Sequence, residues 1–263
     1  MKTVVITGSS RGIGYGLADA FLERGCTVTI SGRNLGALQR AYDSLAVKYG
    51  KERLFFQPCD VTIYVQVQEL WDTAKAHFGQ IDIWINNAGI AHPVAGVWEL
   101  PVDEIRAVVD TNLIGAMYGT RVAMLGMLAQ KSGAIYNLEG LGSGGGRKVK
   151  GLSIYGTTKA ALCYFNECLA LETAGTPVIT GALRPGMTVT DMITQQYAGQ
   201  PEAWEKAKRI FNIIADRVEA VAPWLAQKVL DNQKRGAVIS YSSTLKITGR
   251  FLMAPFSKRK VIE

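Results

Sequence analysis

Short apolar runs, many of them β-branched, alternate along the chain with longer stretches in which apolar residues recur every three or four positions. Thr3-Val4-Val5-Ile6 opens the series, and Thr27-Val28-Thr29-Ile30-Ser31 and runs at 54–56, 81–85, 134–137, 178–183 and 237–240 continue it. Runs that stay apolar at consecutive positions suit strands buried on both faces. Between them, Ile13, Leu17, Ala18 and Phe21 mark a helix that Gly25 stops, and further helical patterns lie around 35–48, 64–78, 103–130, 154–173 and 217–231. Strand and helix taking turns predict an α/β fold: one parallel sheet of about seven strands, doubly wound, with helices on both faces, in a single domain over residues 1–263. Ligands of such sheets bind at the carboxyl ends of the strands. Asp60-Val61, Asn86-Asn87-Ala88-Gly89, the loop at Glu139 and Arg184-Pro185-Gly186 all fall at such ends and would share one crevice with residues 8–14.

Composition narrows the class. With 48% hydrophobic and 19% charged residues the chain can bury a core and is not disordered. A net charge of +7 would suit nucleic acid or an anionic membrane, but the basic residues are spread out except near the end of the chain, so a nucleic-acid surface is not expected. Cys26, Cys59, Cys163 and Cys168 show neither CxxC nor metal-ligand spacing and read as reduced core thiols, with no metal site. No apolar run reaches the roughly 18 residues of a membrane span. The expected location is cytoplasmic, or stromal and peripheral to a membrane if a targeting segment has been removed.

The turn after the first strand reads Thr7-Gly8-Ser9-Ser10-Arg11-Gly12-Ile13-Gly14, a GxxxGxG spacing between a strand and a helix. Glycines let backbone approach a phosphate closely, and a helix N-terminus offers free N–H groups with a partial positive charge. Gly8, Ser10, Arg11, Gly12, Ile13 and Gly14 are the candidate contacts. The second strand ends in Gly32-Arg33-Asn34, with no carboxylate to bind a ribose hydroxyl. Arg11 and Arg33 suit a 2′-phosphate, which favours NADP(H), unless either arginine is only solvated surface charge.

Tyr155 and Lys159 are four residues apart in a helical stretch and therefore share a face. A lysine ammonium beside a phenol favours phenolate and would lower the tyrosine from its usual pKa of about 10 toward the working pH of an acid-base catalyst. The alternative is an ordinary surface pair.

Taken together, Thr7-Gly8-x-x-x-Gly12-x-Gly14, Asp60, Asn86-Asn87-Ala88-Gly89, Asn112, Tyr155-x-x-x-Lys159 and Pro185-Gly186 resemble the short-chain dehydrogenase/reductase family, from Thr3 to about residue 190. The resemblance implies a Rossmann-like fold and reduction of a carbonyl to an alcohol by hydride transfer. It makes Tyr155 the proton donor or acceptor and Lys159 the residue that lowers its pKa and holds the nicotinamide ribose. It also gives Asn112 a water relay, Asp60 and Val61 the adenine, Asn87, Ala88 and Gly89 the adenine ribose, and Pro185, Gly186 and Thr188 the nicotinamide side. The family's serine is out of place: Asn137-Leu138-Glu139-Gly140-Leu141-Gly142-Ser143 puts Glu139 and Gly140 where it is expected. Ser143, the nearest hydroxyl, is either the catalytic serine on a rearranged loop or a solvated serine. This loop, with Tyr155-Gly156-Thr157-Thr158-Lys159, is similar to that of chlorophyll b reductases, which implies a chlorophyll pigment as substrate. Another lipophilic carbonyl, 3-oxoacyl or steroid-like, and a catalytically silent NADPH-binding scaffold are the alternatives.

Past Pro185, residues Met192, Ile193, Tyr197, Trp204, Ile210 and Phe211 read either as a substrate lid over 187–215 or as the core of a helix pair. The C-terminal extension, 242–263, mixes apolar and basic residues. It would rest on an anionic membrane or pack on a partner subunit with its charges solvated. By resemblance the helices near 103–130 and 154–173 form a homodimer or homotetramer interface. His77 and His92 are expected to carry no catalysis, one at an exposed helix end and the other in a loop.

Overall fold

The computed structural model describes residues 1–145, 148–254, 257 and 259–262. Seven strands form one parallel sheet: β1 (Thr3–Ile6), β2 (Thr27–Gly32), β3 (Leu54–Pro58), β4 (Ile83–Asn86), β5 (Gly133–Leu138), β6 (Val178–Arg184) and, last in the chain, β9 (Ala237–Ser240). Their order is β3-β2-β1-β4-β5-β6-β9, so the chain winds outward in one direction from β1 and then returns to place β4 on its other side. That reversal leaves a crevice beyond the carboxyl ends of β1 and β4, where open parallel sheets bind ligands.

The consecutive apolar positions are explained by burial on both faces. Val4 and Ile6 face one core, with Leu17 and Phe21 of α1 (Gly12–Glu23), Leu38 and Leu45 of α2 (Leu35–Tyr49), and Leu225 and Val229 of α9 (Val218–Asp231). Val5 between them faces the other core, with Leu70 and Trp71 of α3 (Tyr64–Phe78) and Val122 and Met127 of α5 (Gly115–Gln130). Ile83 and Ile85 alternate in the same way with Trp84.

The helical pattern at 103–130 is not one helix. It is α4 (Val102–Val109), a π-helical turn Asp110–Ile114, and α5. α6 (Ser153–Glu172) follows β5. After β6 come β7 (Thr188–Val189), α7 (Asp191–Gln195), α8 (Pro201–Ile214) and β8 (Asp216–Arg217), with β7 and β8 paired in a separate ribbon. Ile193, Phe211 and Ala215 form a third, small core there, flanked by Tyr197 and Trp204.

The tail adds α10 (Thr244–Met253), and three of its cations are paired and not left to solvent, while Lys260 is exposed. Lys246, Arg250 and Arg259 converge on the buried Asp216, Arg250 through two hydrogen bonds of 2.8 Å, while Leu245, Leu252 and Met253 point outward. Pro255, Phe256 and Lys258 of the expected anchor lie outside the described residues. Among the described residues no helix is long and apolar enough to cross a membrane.

Candidate active site

At the crevice, the turn after β1 is held by short polar side chains bonded to backbone. The Thr7 hydroxyl accepts the N–H groups of Asn87 at 3.0 Å and Ala88 at 3.1 Å, and the Asn87 amide donates to the Thr7 and Gly8 carbonyls, each at 2.8 Å. Gly8 has φ +62°, and a Cβ there would sit 2.6 Å from the Ala88 Cα; one on Gly14 would sit 2.5 Å from the Gly8 carbonyl oxygen. Only bare backbone fits this closeness. The N-terminus of α1 has neither a side-chain cap nor an acidic residue in its first turn, so no side chain competes for its N–H groups. The residues present therefore fit a dinucleotide's phosphates.

The rim carries the other sequence-picked positions. Ser10 lies beside Gly32, Ile13 is half-buried, and Gly12 opens α1. Arg11 is exposed, 3.6 Å from Asp191 of α7, and Arg33 is exposed, 3.9 Å from Asp60. Asp60 accepts from the Thr62 N–H and hydroxyl at 3.0 and 2.8 Å, capping the turn into α3, and Val61 is buried against Gly115. At the end of β6, Pro185 is buried, Gly186 is exposed with φ +73°, and Thr188 is buried with its hydroxyl donating back to the Pro185 carbonyl at 3.4 Å.

On the other side of the crevice the π-helical turn presents Asn112. Its side chain accepts from the Ile90 N–H at 2.8 Å and donates to the Ile90 carbonyl at 2.9 Å and to the Thr158 hydroxyl at 3.2 Å. The loop after Gly89 is thereby tied to α6. Lys159 is buried and donates to the Leu138 carbonyl at 2.8 Å; burial lowers it to about 8, the nearby Glu139 charge acting the other way. Tyr155 is half-buried, and burial pushes its phenol up to about 12. The expectation that Lys159 pulls this phenol down is thus not met in this geometry. Desolvation disfavours the charged form of both groups.

Gly140 faces the phenol. A Cβ there would lie 2.8 Å from Tyr155 Oη and 3.5 Å from Lys159 Cγ, so the expected serine position has no room for a side chain beside the phenol. Ser143 does not fill it: its hydroxyl donates to the Lys159 carbonyl at 3.0 Å and accepts from the Gly140 N–H at 3.3 Å.

Glu139 and His92 do more than the sequence suggested. Glu139 is 2% exposed, accepts from Asn166 at 2.8 Å and pairs with Arg184, whose guanidinium also reaches Cys163. Asn166 accepts from Asn137, and Asn137 from Asn86, so a buried polar chain runs under the crevice from Asn86 on β4 to Arg184 on β6. His92 is 1% exposed and its Nε2 accepts the Tyr155 N–H at 3.3 Å. No local spacing announces either contact. The acidic residue at a serine's place was the only available signal, and it marked Glu139 alone.

The sequence profile described as short chain dehydrogenase matches residues 2–201. The chloroplastic chlorophyll(ide) b reductase NOL of Arabidopsis thaliana is 35% identical over 231 residues, 86% of this chain and 64% of that protein. The probable chlorophyll(ide) b reductase NYC1 of Oryza sativa subsp. japonica is 32% identical over 262 residues, covering 94% of this chain and 51% of that protein. The chain thus spans between about half and two thirds of these relatives. Among solved structures, a closed serine dehydrogenase complexed with NADP+ superposes with a TM-score of 0.80 at 25% identity, over 92% of this chain and 95% of that one.

Proposed function

We propose that this chain, which belongs to the short chain dehydrogenase family, is an NADP(H)-dependent reductase of a bulky lipophilic carbonyl, most like the formyl group of chlorophyll(ide) b. The chain is an oxidoreductase of that family; the cofactor and substrate are the proposal. The observation that carries the reductase reading is the meeting of the Tyr155 phenol and the buried Lys159 at the crevice that the glycine turn opens. The choice of pigment is supported by the named activity of two reductases that this chain resembles.

The residues divide the work as follows. Gly8, Gly12, Gly14 and the free end of α1 would receive the cofactor's phosphates, and the exposed Arg11 and Arg33 would receive a 2′-phosphate. Asp60, Val61 and Asn87 to Gly89 border the adenine side, and Pro185, Gly186 and Thr188 the nicotinamide side. When bound, NADPH supplies the hydride. Tyr155, protonated at neutral pH, gives its phenolic proton to the carbonyl oxygen, and the Lys159 ammonium balances the phenolate left behind. Asn112 holds the loop beside them. Ser143 contributes only if its loop rearranges, since its hydroxyl is committed to backbone.

Segment 187–215 is the proposed lid. A cavity of about 300 Å³ lies against Tyr197, Gln200 and Trp204 of this segment. Leu125 and Leu128 on α5 and Tyr164 and Leu171 on α6 are exposed, which supports a homodimer or homotetramer built on those helices. The outward apolar face of α10 supports packing on a second copy rather than on a membrane, because its cations Lys246 and Arg250 turn inward to Asp216.

The test is NADPH oxidation by the purified protein with chlorophyllide b against a panel of simple aldehydes and ketones. Turnover of pigment that falls by a factor of about 10² to 10⁴ in Tyr155→Phe is the expected result. Turnover of simple carbonyls alone would remove the pigment and leave the chemistry. Cofactor binding without turnover of anything would favour the silent scaffold. In the wild type, kcat/KM for the cofactor should fall above about pH 8 as Lys159 loses its proton.

A further inference from the structure

The first turn of α6 lacks the device that usually completes a helix start. Its N-cap residue is Leu152, which has no side-chain acceptor, so the N–H of Tyr155, third in the helix, would go without the partner that a serine or aspartate cap provides. His92 supplies that partner from 63 residues away. Its ring is 1% exposed, and Nδ1 lies 2.7 Å from the Pro93 carbonyl. A carbonyl only accepts, so Nδ1 carries the proton and Nε2 presents its lone pair to the Tyr155 N–H at 3.3 Å. Both ring nitrogens are thereby committed, and the ring is fixed in one tautomer.

The segment that holds His92 is fastened on every side. Ile90 is clamped at both its N–H and its carbonyl by Asn112. Val94 donates to the Gln196 carbonyl at 2.9 Å and accepts from the Gln200 side chain at 3.0 Å, both from the region 187–215, while Ala95 donates to the Gly151 carbonyl at 3.1 Å. His92 therefore sits midway between the Asn112 turn and the segment proposed as the lid, and it touches the backbone of the residue whose phenol faces Gly140.

We propose that His92 is a positioning residue: it caps the first turn of α6 and so fixes where the Tyr155 phenol stands. This rests on the reading of Tyr155 as the acid. A displacement of about 1 Å at a reacting group can cost on the order of a hundredfold in rate, so a cap on this turn matters more to turnover than to cofactor binding.

The experiment compares His92→Leu, which keeps apolar volume but has no acceptor, with His92→Gln, whose amide oxygen can accept near the place of Nε2. Steady-state kinetics are measured on whichever carbonyl the wild type turns over. Amide hydrogen exchange at Tyr155 is measured on the same proteins without substrate. His92→Leu should lower kcat about tenfold or more, leave KM for NADPH within about twofold, and speed Tyr155 amide exchange by at least tenfold; His92→Gln should recover most of both. An unchanged kcat and unchanged amide protection in His92→Leu would overturn the proposal. So would equal losses in both variants together with loss of NADPH affinity, which is the pattern of a packing residue. Tyr155→Phe, run alongside, separates the failures: native turnover there removes the tyrosine as acid and leaves the hydrogen-exchange result as a statement about the helix start alone.

Discussion

The two sides of the crevice are built on different principles. The side at β1 and β4 is made of backbone: Gly8, Gly14, the Thr7 hydroxyl and the Asn87 amide close it within hydrogen-bond distance of main-chain atoms. The side at β5, β6 and the tail is made of charges brought from far apart, Glu139 with Arg184 across 45 residues and Asp216 with Arg250 and Arg259 across 34 and 43. A backbone cradle binds one invariant chemical group, whereas side-chain pairs leave the surface around them free to vary. The first suits the phosphates of a dinucleotide, and the second ties together elements that are distant in sequence.

The difference can be broken from either side. The largest expected effect comes from Glu139→Ala. It leaves the Arg184 guanidinium, 30% exposed, without its carboxylate. Breaking a buried pair costs about 3 to 5 kcal/mol, and partial exposure of the arginine puts this case near the lower figure. Urea unfolding should show the loss, with Glu139→Gln milder because an amide oxygen still accepts. Next is Gly14→Ala. Its methyl group would meet the Gly8 carbonyl at 2.5 Å, and overpacking of that kind costs about 1 to 3 kcal/mol. NADPH affinity, by fluorescence titration, should fall by about tenfold or more, each tenfold step being 1.4 kcal/mol.

The smallest is Asp216→Asn, expected to cost about 1 kcal/mol because its cationic partners are partly exposed. Burial alone would raise this carboxyl, but Arg250, Lys246 and Arg259 outweigh it and hold it below the usual aspartate value. A depressed native pKa means the contribution is complete above the unfolded value near 4 and is lost as pH falls through the native one. Limited proteolysis should therefore release the tail in acid before the sheet melts, and Asp216→Asn should do so at neutral pH.

The same contrast explains what the sequence disclosed. Strands buried on both faces write themselves as runs such as 3–6 and 178–183, and the glycine turn is local, so the sheet and the closely packed turn after β1 are legible from spacing alone. α10 was missed because its cations suggested solvent, when their partner lies about 30 residues earlier. His92 reads from sequence as a loop residue, since nothing near it in the chain shows that it meets Tyr155. Glu139 stands out in sequence as an anomaly but not as half of a pair, because Arg184 belongs to another strand. Contacts between distant residues carry no period, and periodicity is what a single sequence reveals best.

The π-helical turn at Asp110–Ile114 bears on which insertions and deletions the chain tolerates. Wider turns of this kind arise when a helix gains one residue, which rotates everything after it by about 100° relative to a regular spiral. α4 and α5 are therefore out of phase, and a single apolar stripe cannot run through 103–130. Deleting Asp110 or Thr111 would restore a regular and intrinsically sound helix. It would also turn Asn112 away from Ile90 and Thr158 together, so local repair of the helix would undo the joint between the loop and α6.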